Sequence, residues 1–110
     1  MKIGEYIRTH KGQIDKLKEY DEESLFVRCE NKTYWKSNIT KHSPNIIDLI
    51  EVGDYVNGWK VRGKTSEKVV VDYYMYSEQL GEGQWLTFYK DNIKSIVTHE
   101  SFNSIKYEVI

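Results

Sequence analysis

The sequence predicts an all-β, mainly antiparallel fold with two short helical segments, built twice from one small unit. Three observations carry this. Most of the chain divides into short runs rich in Val, Ile, Thr, Tyr and Trp, separated by turns that contain Gly or Asn. There is one Pro in 110 residues, and no Gly/Ser-rich linker interrupts the runs. "VGDYV" at 52–56 repeats the pattern of "IGEYI" at 3–7: branched apolar residue, Gly, acid, Tyr, branched apolar residue.

In chain order, "EYIRT" (5–9) and "GQIDKLK" (12–18) flank Lys11-Gly12 and read as a hairpin. "SLFVRCE" alternates, with Leu25, Val27 and Cys29 on one face and Phe26, Arg28 and Glu30 on the other. "KTYWKS" (32–37) follows the turn residue Asn31. In the second half, "GDYVNG" and "WKVRGK" meet at Asn57-Gly58, the strongest short hairpin signal in the chain. "KVVVDYYMY" (68–76) is a long β-branched and aromatic run, and "QWLTFYK" (84–90) returns from it after "SEQLGEG". "IKSIVT" (93–98) adds one more strand.

Two segments read as helix. In "SPNIIDLI", Ser43 suits the N-cap and Pro44 the first helical position, with Ile46, Ile47, Leu49 and Ile50 as an apolar stripe. In "THESFNSI", Thr98 is the cap, with Phe102 and Ile105 inward.

The repeat extends to the ends of the units. Gly4 and Gly53 are 49 residues apart. "ITKHSPNIIDLIEV" (39–52) aligns with "VTHESFNSIKYEV" (97–109), matching Thr40 with Thr98, Ser43 with Ser101, Asn45 with Asn103 and Ile47 with Ile105 at an offset of 58. Glu51-Val52 matches Glu108-Val109 after a gap. Each unit thus opens on a Gly bend, runs through hairpins, and crosses a helical turn into a closing strand. That is the layout of a small SH3-like barrel, so two tandem barrels are expected, 1–52 and 53–110, packed together as one compact domain. "LIEVGDYV" is expected to close the first and open the second. At about fifty residues, neither unit alone would bury much core.

Charge and cysteine content narrow the function. Residues 1–55 carry nine Lys/Arg and ten Asp/Glu, and residues 56–110 carry seven of each. No basic block appears, so the footprint of a duplex-DNA binder is absent. The single Cys29 excludes an internal disulfide and a CxxC metal motif. The opening "MKIGEYIRTHKGQID" has no apolar core and no stretch reaches membrane-span length, so a cytoplasmic location without membrane contact is expected.

No motif names a reaction. His10, His42 and His99 have no metal-ligand spacing among themselves. Cys29 shares a face with Val27 and Leu25 and reads as a small buried residue. "DEES" (21–24) reads as a solvated turn rather than half of a divalent-ion site. "GWKVRGKT" (58–65) matches a phosphate-loop pattern, but strand-forming residues follow it where a phosphate loop needs a helix. Neither catalytic residues nor cofactor nor metal ligands are expected.

The surface that stands out is aromatic and basic: Trp59, Lys60, Arg62, Lys64, Tyr74, Tyr76, Trp85 and Tyr89. Within their strands, Tyr74 and Tyr76 share a face, and so do Trp85 and Tyr89. Aromatic side chains beside Lys and Arg make hot spots on protein partners, and they also stack single-stranded nucleic acid.

The stretches "KIGEYIRT", "HSPNIIDLIEVGDYVNG" and "IVTHESF" resemble a set of small proteins carried by phages and prophages of Firmicutes. The resemblance covers both ends and the middle of the chain, and leaves 19–37 and 59–91 uncovered. It implies a phage setting, where small accessory proteins are often inhibitors of host defence, anti-CRISPR proteins among them, or nucleotide sponges. The expectation is a non-enzymatic binding protein that occludes a host protein such as a defence nuclease. The alternative is a small β-barrel protein that binds single-stranded nucleic acid or a nucleotide.

Overall fold

The computed structural model describes residues 1–101. Residues 99–101 are helical, while Phe102 and Ile105, and the repeat matches through Asn103, Ile105, Glu108 and Val109, lie outside the described residues.

Ten strands form two five-stranded antiparallel sheets. The first contains β1 (Tyr6–Thr9), β2 (Ile14–Glu19), β3 (Phe26–Cys29), β4 (Thr33–Trp35) and β5 (Ile39–Ser43), in the order β4-β3-β2-β1-β5. The second contains β6 (Tyr55–Val56), β7 (Trp59–Lys64), β8 (Lys68–Ser77), β9 (Glu82–Tyr89) and β10 (Ile96–Val97), in the order β10-β6-β7-β8-β9. The two orders are the same when counted from each sheet's own first strand. Four strands follow one another as a meander, and the fifth returns beside the first. A single 3-10 turn precedes the fifth strand in each, at Lys36–Asn38 and at Lys90–Asn92.

The opening echo is a shared bend. Gly4 and Gly53 have φ of +92° and +99°, a region that favours glycine. The Gly4 N–H donates to Leu17 O at 2.8 Å and the Gly53 N–H to Val61 O at 3.1 Å. Leu17 N–H returns to Glu5 O at 2.8 Å, and Val61 N–H to Asp54 O at 2.7 Å. The closing ends align differently from the sequence match. Ser43 lies opposite Tyr6, and Val97 opposite Tyr55. That is an offset of 54 residues, the same as between the two 3-10 turns, so the match of Ser43 with Ser101 is four residues out. The better echo is at the turns themselves, Lys36-Ser37-Asn38-Ile39 against Lys90-Asp91-Asn92-Ile93.

Five further expectations are corrected. The sheets are not closed barrels: among the described residues no pairing joins β4 to β5 or β9 to β10. The first sheet closes with "ITKHS", not with "LIEVGDYV"; its polar residues suit an outer strand, which carries no apolar alternation to announce it. The segment "SPNIIDLI" makes one 3-10 turn, Ile46–Leu49, capped by Asn45, whose side chain accepts from Ile47 N–H at 3.2 Å. Ser43 instead ends β5 and donates its hydroxyl to Asp48 at 2.6 Å. Leu25, expected inward, is 68% exposed, whereas Val27 and Cys29 are buried.

Each sheet has an apolar core. Ile7, Leu17, Val27, Cys29 and Tyr34 fill the first. Val56, Val61, Val69 and Val71 fill the second, together with Ile47 and Ile50 from the segment after β5. The segment after β10 packs the other way: Thr98 donates its hydroxyl to Gly12 O at 2.7 Å, and Glu100 reaches Arg8 on β1. The residues after each sheet's last strand therefore pack on the opposite sheet.

Candidate functional site

β8 begins against the core and ends outside it. Val69 and Val71 are buried, while Asp72 to Tyr76 are all exposed. β7 pairs with β8 over Val69–Val71, so Tyr74–Ser77 pair only with β9, over Glu82–Trp85. A two-stranded arm thus extends past the sheet. Two strands alone are marginal in water, and cross-strand aromatic pairs supply stability that a core does not. Tyr74 lies opposite Trp85, their ring centroids 5.0 Å apart and edge to face. The Tyr74 ring also covers Gly83, where a Cβ would come within 2.6 Å of its Cζ and Oη.

Register brings most of the predicted residues to one face. Tyr74 opposes Trp85, Tyr76 opposes Gly83 and Lys68 opposes Tyr89, and alternation along β9 sets Gly83, Trp85 and Tyr89 on the same side. The Arg62 guanidinium sits 3.6 Å from the Trp85 ring centroid and 3.4 Å from Asp72 Oδ1. Lys60 opposes Tyr55, on the side away from buried Val56. Lys60, Arg62, Tyr74, Tyr76, Trp85 and Tyr89 therefore share the outer face of the second sheet and its arm. At the arm's tip, Met75, Tyr76, Leu80, Glu82, Gly83 and Gln84 line a hollow of about 360 Å³.

The other two residues lie elsewhere. Trp59 opposes Val56 on the core side, where it stacks on Tyr73 at 4.5 Å. A bulge between Val61 and Gly63 turns Lys64 inward. Its Nζ donates to Ile47 O at 2.8 Å and Asp48 O at 3.2 Å, so it fastens the 3-10 turn to the sheet. Burial, helped by nearby Lys41, lowers its pKa.

Sequence reasoning missed a fully buried ion pair among the described residues. Arg8, with no exposed surface, holds Asp54, also fully buried, through Nη1–Oδ2 at 2.6 Å and Nη2–Oδ1 at 3.0 Å. Arg8 also donates to Leu49 O at 2.8 Å and pairs with Glu100 at 2.8 Å and Glu51 at 3.3 Å. Asp54 accepts the Glu51 and His99 N–H groups at 2.7 and 2.9 Å. Burial pushes the Asp54 carboxyl up, but Arg8 and these two N–H groups outweigh it, and its pKa lies below the ordinary carboxylate value. His99 Nε2 stands 3.1 Å from Glu51 and 2.9 Å from Glu100, and Lys41 lies 3.2 Å from Glu51. The carboxylates near His99 thus already face Arg8 and Lys41, and the cluster reads as a charge clasp between the two sheets. Asp54 is the acid of "VGDYV". Its counterpart Glu5 sits at the surface, where it accepts the Lys2 N–H and meets half-exposed His42 at 3.3 Å.

The remaining motifs have structural places. Cys29 is buried, and burial, with Asp15 and Glu30 nearby, pushes its thiol up to about 11; a thiol so held is a poor nucleophile. Asp21 to Glu23 are exposed in a turn. Gly63-Lys64-Thr65 runs from β7 into the turn before β8, with no helix after it. No helix among the described residues is long and apolar enough to cross a membrane. Comparison with family models, with curated proteins and with solved structures finds no match.

Proposed function

We propose that this chain is a non-enzymatic binding protein whose partner docks on the outer aromatic face of the second sheet and its projecting arm. The observation that supports this most is the arm itself: Tyr74, Tyr76 and Trp85 are exposed there beyond the apolar core, with Arg62 on Trp85, and exposed Tyr89 continues the same face over the sheet. Aromatic residues and Arg concentrate binding energy at protein interfaces. Combined with the resemblance to phage proteins, the reading is a phage accessory protein that acts in the host cytoplasm and occludes a host protein, such as a defence nuclease of CRISPR type.

The repeated strand order, the paired Gly bends and the matching 3-10 turns support descent from one duplicated SH3-like unit, divided near residue 52. The duplicated halves differ at the arm, where the second unit's β8 and β9 have ten and eight residues against four and three in β3 and β4. The lengthened strands are those that carry the proposed surface.

A second reading is favoured by the Arg62–Trp85 stack: a cation laid on an indole beside open Tyr rings is also a platform for unpaired bases. Two measurements separate the readings. Affinity capture from host lysate, repeated with Trp85→Ala and Arg62→Ala, is expected to recover a host protein that both variants lose. Fluorescence titration with single-stranded oligonucleotides at low salt is expected to show no binding. Tight, salt-sensitive oligonucleotide binding would replace the first reading with the second, and capture unaffected by both substitutions would refute the proposed face.

A further inference from the structure

β9 is an outer strand of the second sheet, eight residues long, with β8 as its neighbour. From Gly83 to Tyr89 it reads Gly-Gln-Trp-Leu-Thr-Phe-Tyr, with no charge and no proline. Soluble proteins usually protect sheet edges with charge, proline, a bulge or short length, because an open edge is a row of unpaired N–H and C=O groups. The other outer strands follow that rule: β4 has three residues, β10 has two, and β5 has Lys41 at its centre. β9 is the exception in length and in charge; its ladder with β8 has one irregularity, where β8 runs from Val70 to Tyr74 against Thr87 to Trp85. Its charges stand at its two ends and are opposite in sign, Glu82 opening the strand and Lys90 following it. Both are exposed, and neither makes an ion pair among the described residues.

We infer that β9 pairs antiparallel with β9 of a second copy of this chain, about a two-fold axis at Leu86, joining two second sheets into one continuous sheet. In this register the ladder runs from Gly83 to Tyr89, and at each end Glu82 of one copy meets Lys90, the first residue of the 3-10 turn after β9, of the other, so the attraction occurs twice by symmetry. Gly83 faces Tyr89, so the Tyr89 ring of one copy meets the Tyr74 ring that covers Gly83 of the other. A slip of register separates the charges. The other open stretch of the arm is disfavoured for self-pairing: two copies of β8 centred on Met75 would set Asp72 against Glu78. This inference rests on the strand edge and stands apart from the proposed partner face, since edge pairing leaves the broad faces of the sheet open.

The test is sedimentation velocity on the full chain, from low-micromolar to several hundred micromolar. Wild type is expected to form a dimer. Glu82→Lys makes all four facing charges positive and Lys90→Glu makes them all negative, so each should weaken dimerisation by about tenfold or more. Mixing the two variants restores opposite charges at both sites and should give a heterodimer of wild-type strength. Both positions are exposed, so both variants should keep the wild-type urea midpoint. A wild type that stays monomeric throughout would overturn the inference. So would a dimer indifferent to either substitution, or variants that fail to associate when mixed.

Discussion

The two acids of the sequence echo give the sharpest test of how this chain holds together. Asp54→Ala removes four hydrogen bonds at once: two from Arg8, at 2.6 and 3.0 Å, and one each from the Glu51 and His99 N–H groups. It leaves the Arg8 guanidinium fully buried, with Leu49 O, Glu51 and Glu100 as remaining partners. Removing one member of a buried ion pair costs about 3–5 kcal/mol. Because Glu51 and Glu100 still face Arg8, the lower end applies. Against a folding free energy of about 5–15 kcal/mol, this is a large fraction. In urea denaturation, with a slope of about 1.5 kcal/mol/M, the midpoint should fall by about 2 M. The matched control is Glu5→Ala, at the same place in the other repeat. Glu5 accepts the Lys2 N–H and meets His42, whose side chain is 46% exposed; both contacts lie at the surface, and their loss should cost about 1 kcal/mol. A cost for Asp54→Ala below that of Glu5→Ala, or equal costs for the two, would refute the assignment of Asp54 as the centre of a clasp.

Three more outcomes follow from the same geometry. Asp54 and Glu51 both titrate below their ordinary carboxylate values, so their contribution is complete above about pH 5 and is lost as pH falls through their lower folded values. The urea midpoint should therefore drop on acidification below about pH 5, less steeply in Asp54→Ala; a midpoint flat down to pH 3 would contradict this. Gly12→Ala should cost about 1–3 kcal/mol, since φ is +81° and a Cβ would collide with the Thr98 hydroxyl and the Glu100 carboxylate; a melting temperature equal to wild type would mean that the segment after β10 does not pack on the first sheet. Lys64→Met should lower stability by about 1–2 kcal/mol through lost bonds to Ile47 and Asp48 carbonyls, while partner binding is retained; lost binding at unchanged stability would return Lys64 to the partner-binding residues.

Part of the fold was legible because local chemistry states it directly. Asn57-Gly58 forms the predicted tight turn, with φ of +52° and +86°. The alternation of Val27 with Cys29 gave the buried side of β3, and the Gly bends at 4 and 53 marked the starts of both sheets. The closing strands were not legible, because short polar outer strands carry little hydrophobic pattern, and the eye was drawn to the Ile-rich segment instead. That segment is apolar for another reason: Ile47 and Ile50 belong to the core of the other sheet. Likewise the face on which exposed Lys64 lies was not legible, because nothing in the sequence announces a bulge, and one inserted residue moves the side chain to the other side of the sheet.

The sequence by itself determined the β class and the Asn57-Gly58 turn, since these depend on neighbours a few residues apart. Tertiary structure decided which acid of the echo is buried, which aromatic residues share a face, and where each closing segment packs. Those outcomes depend on register and on contacts between residues 46 to 92 positions apart, as from Arg8 to Asp54 and to Glu100. "IGEYI" and "VGDYV" are nearly the same locally; only the second has a buried arginine placed opposite its acid by the other half of the chain.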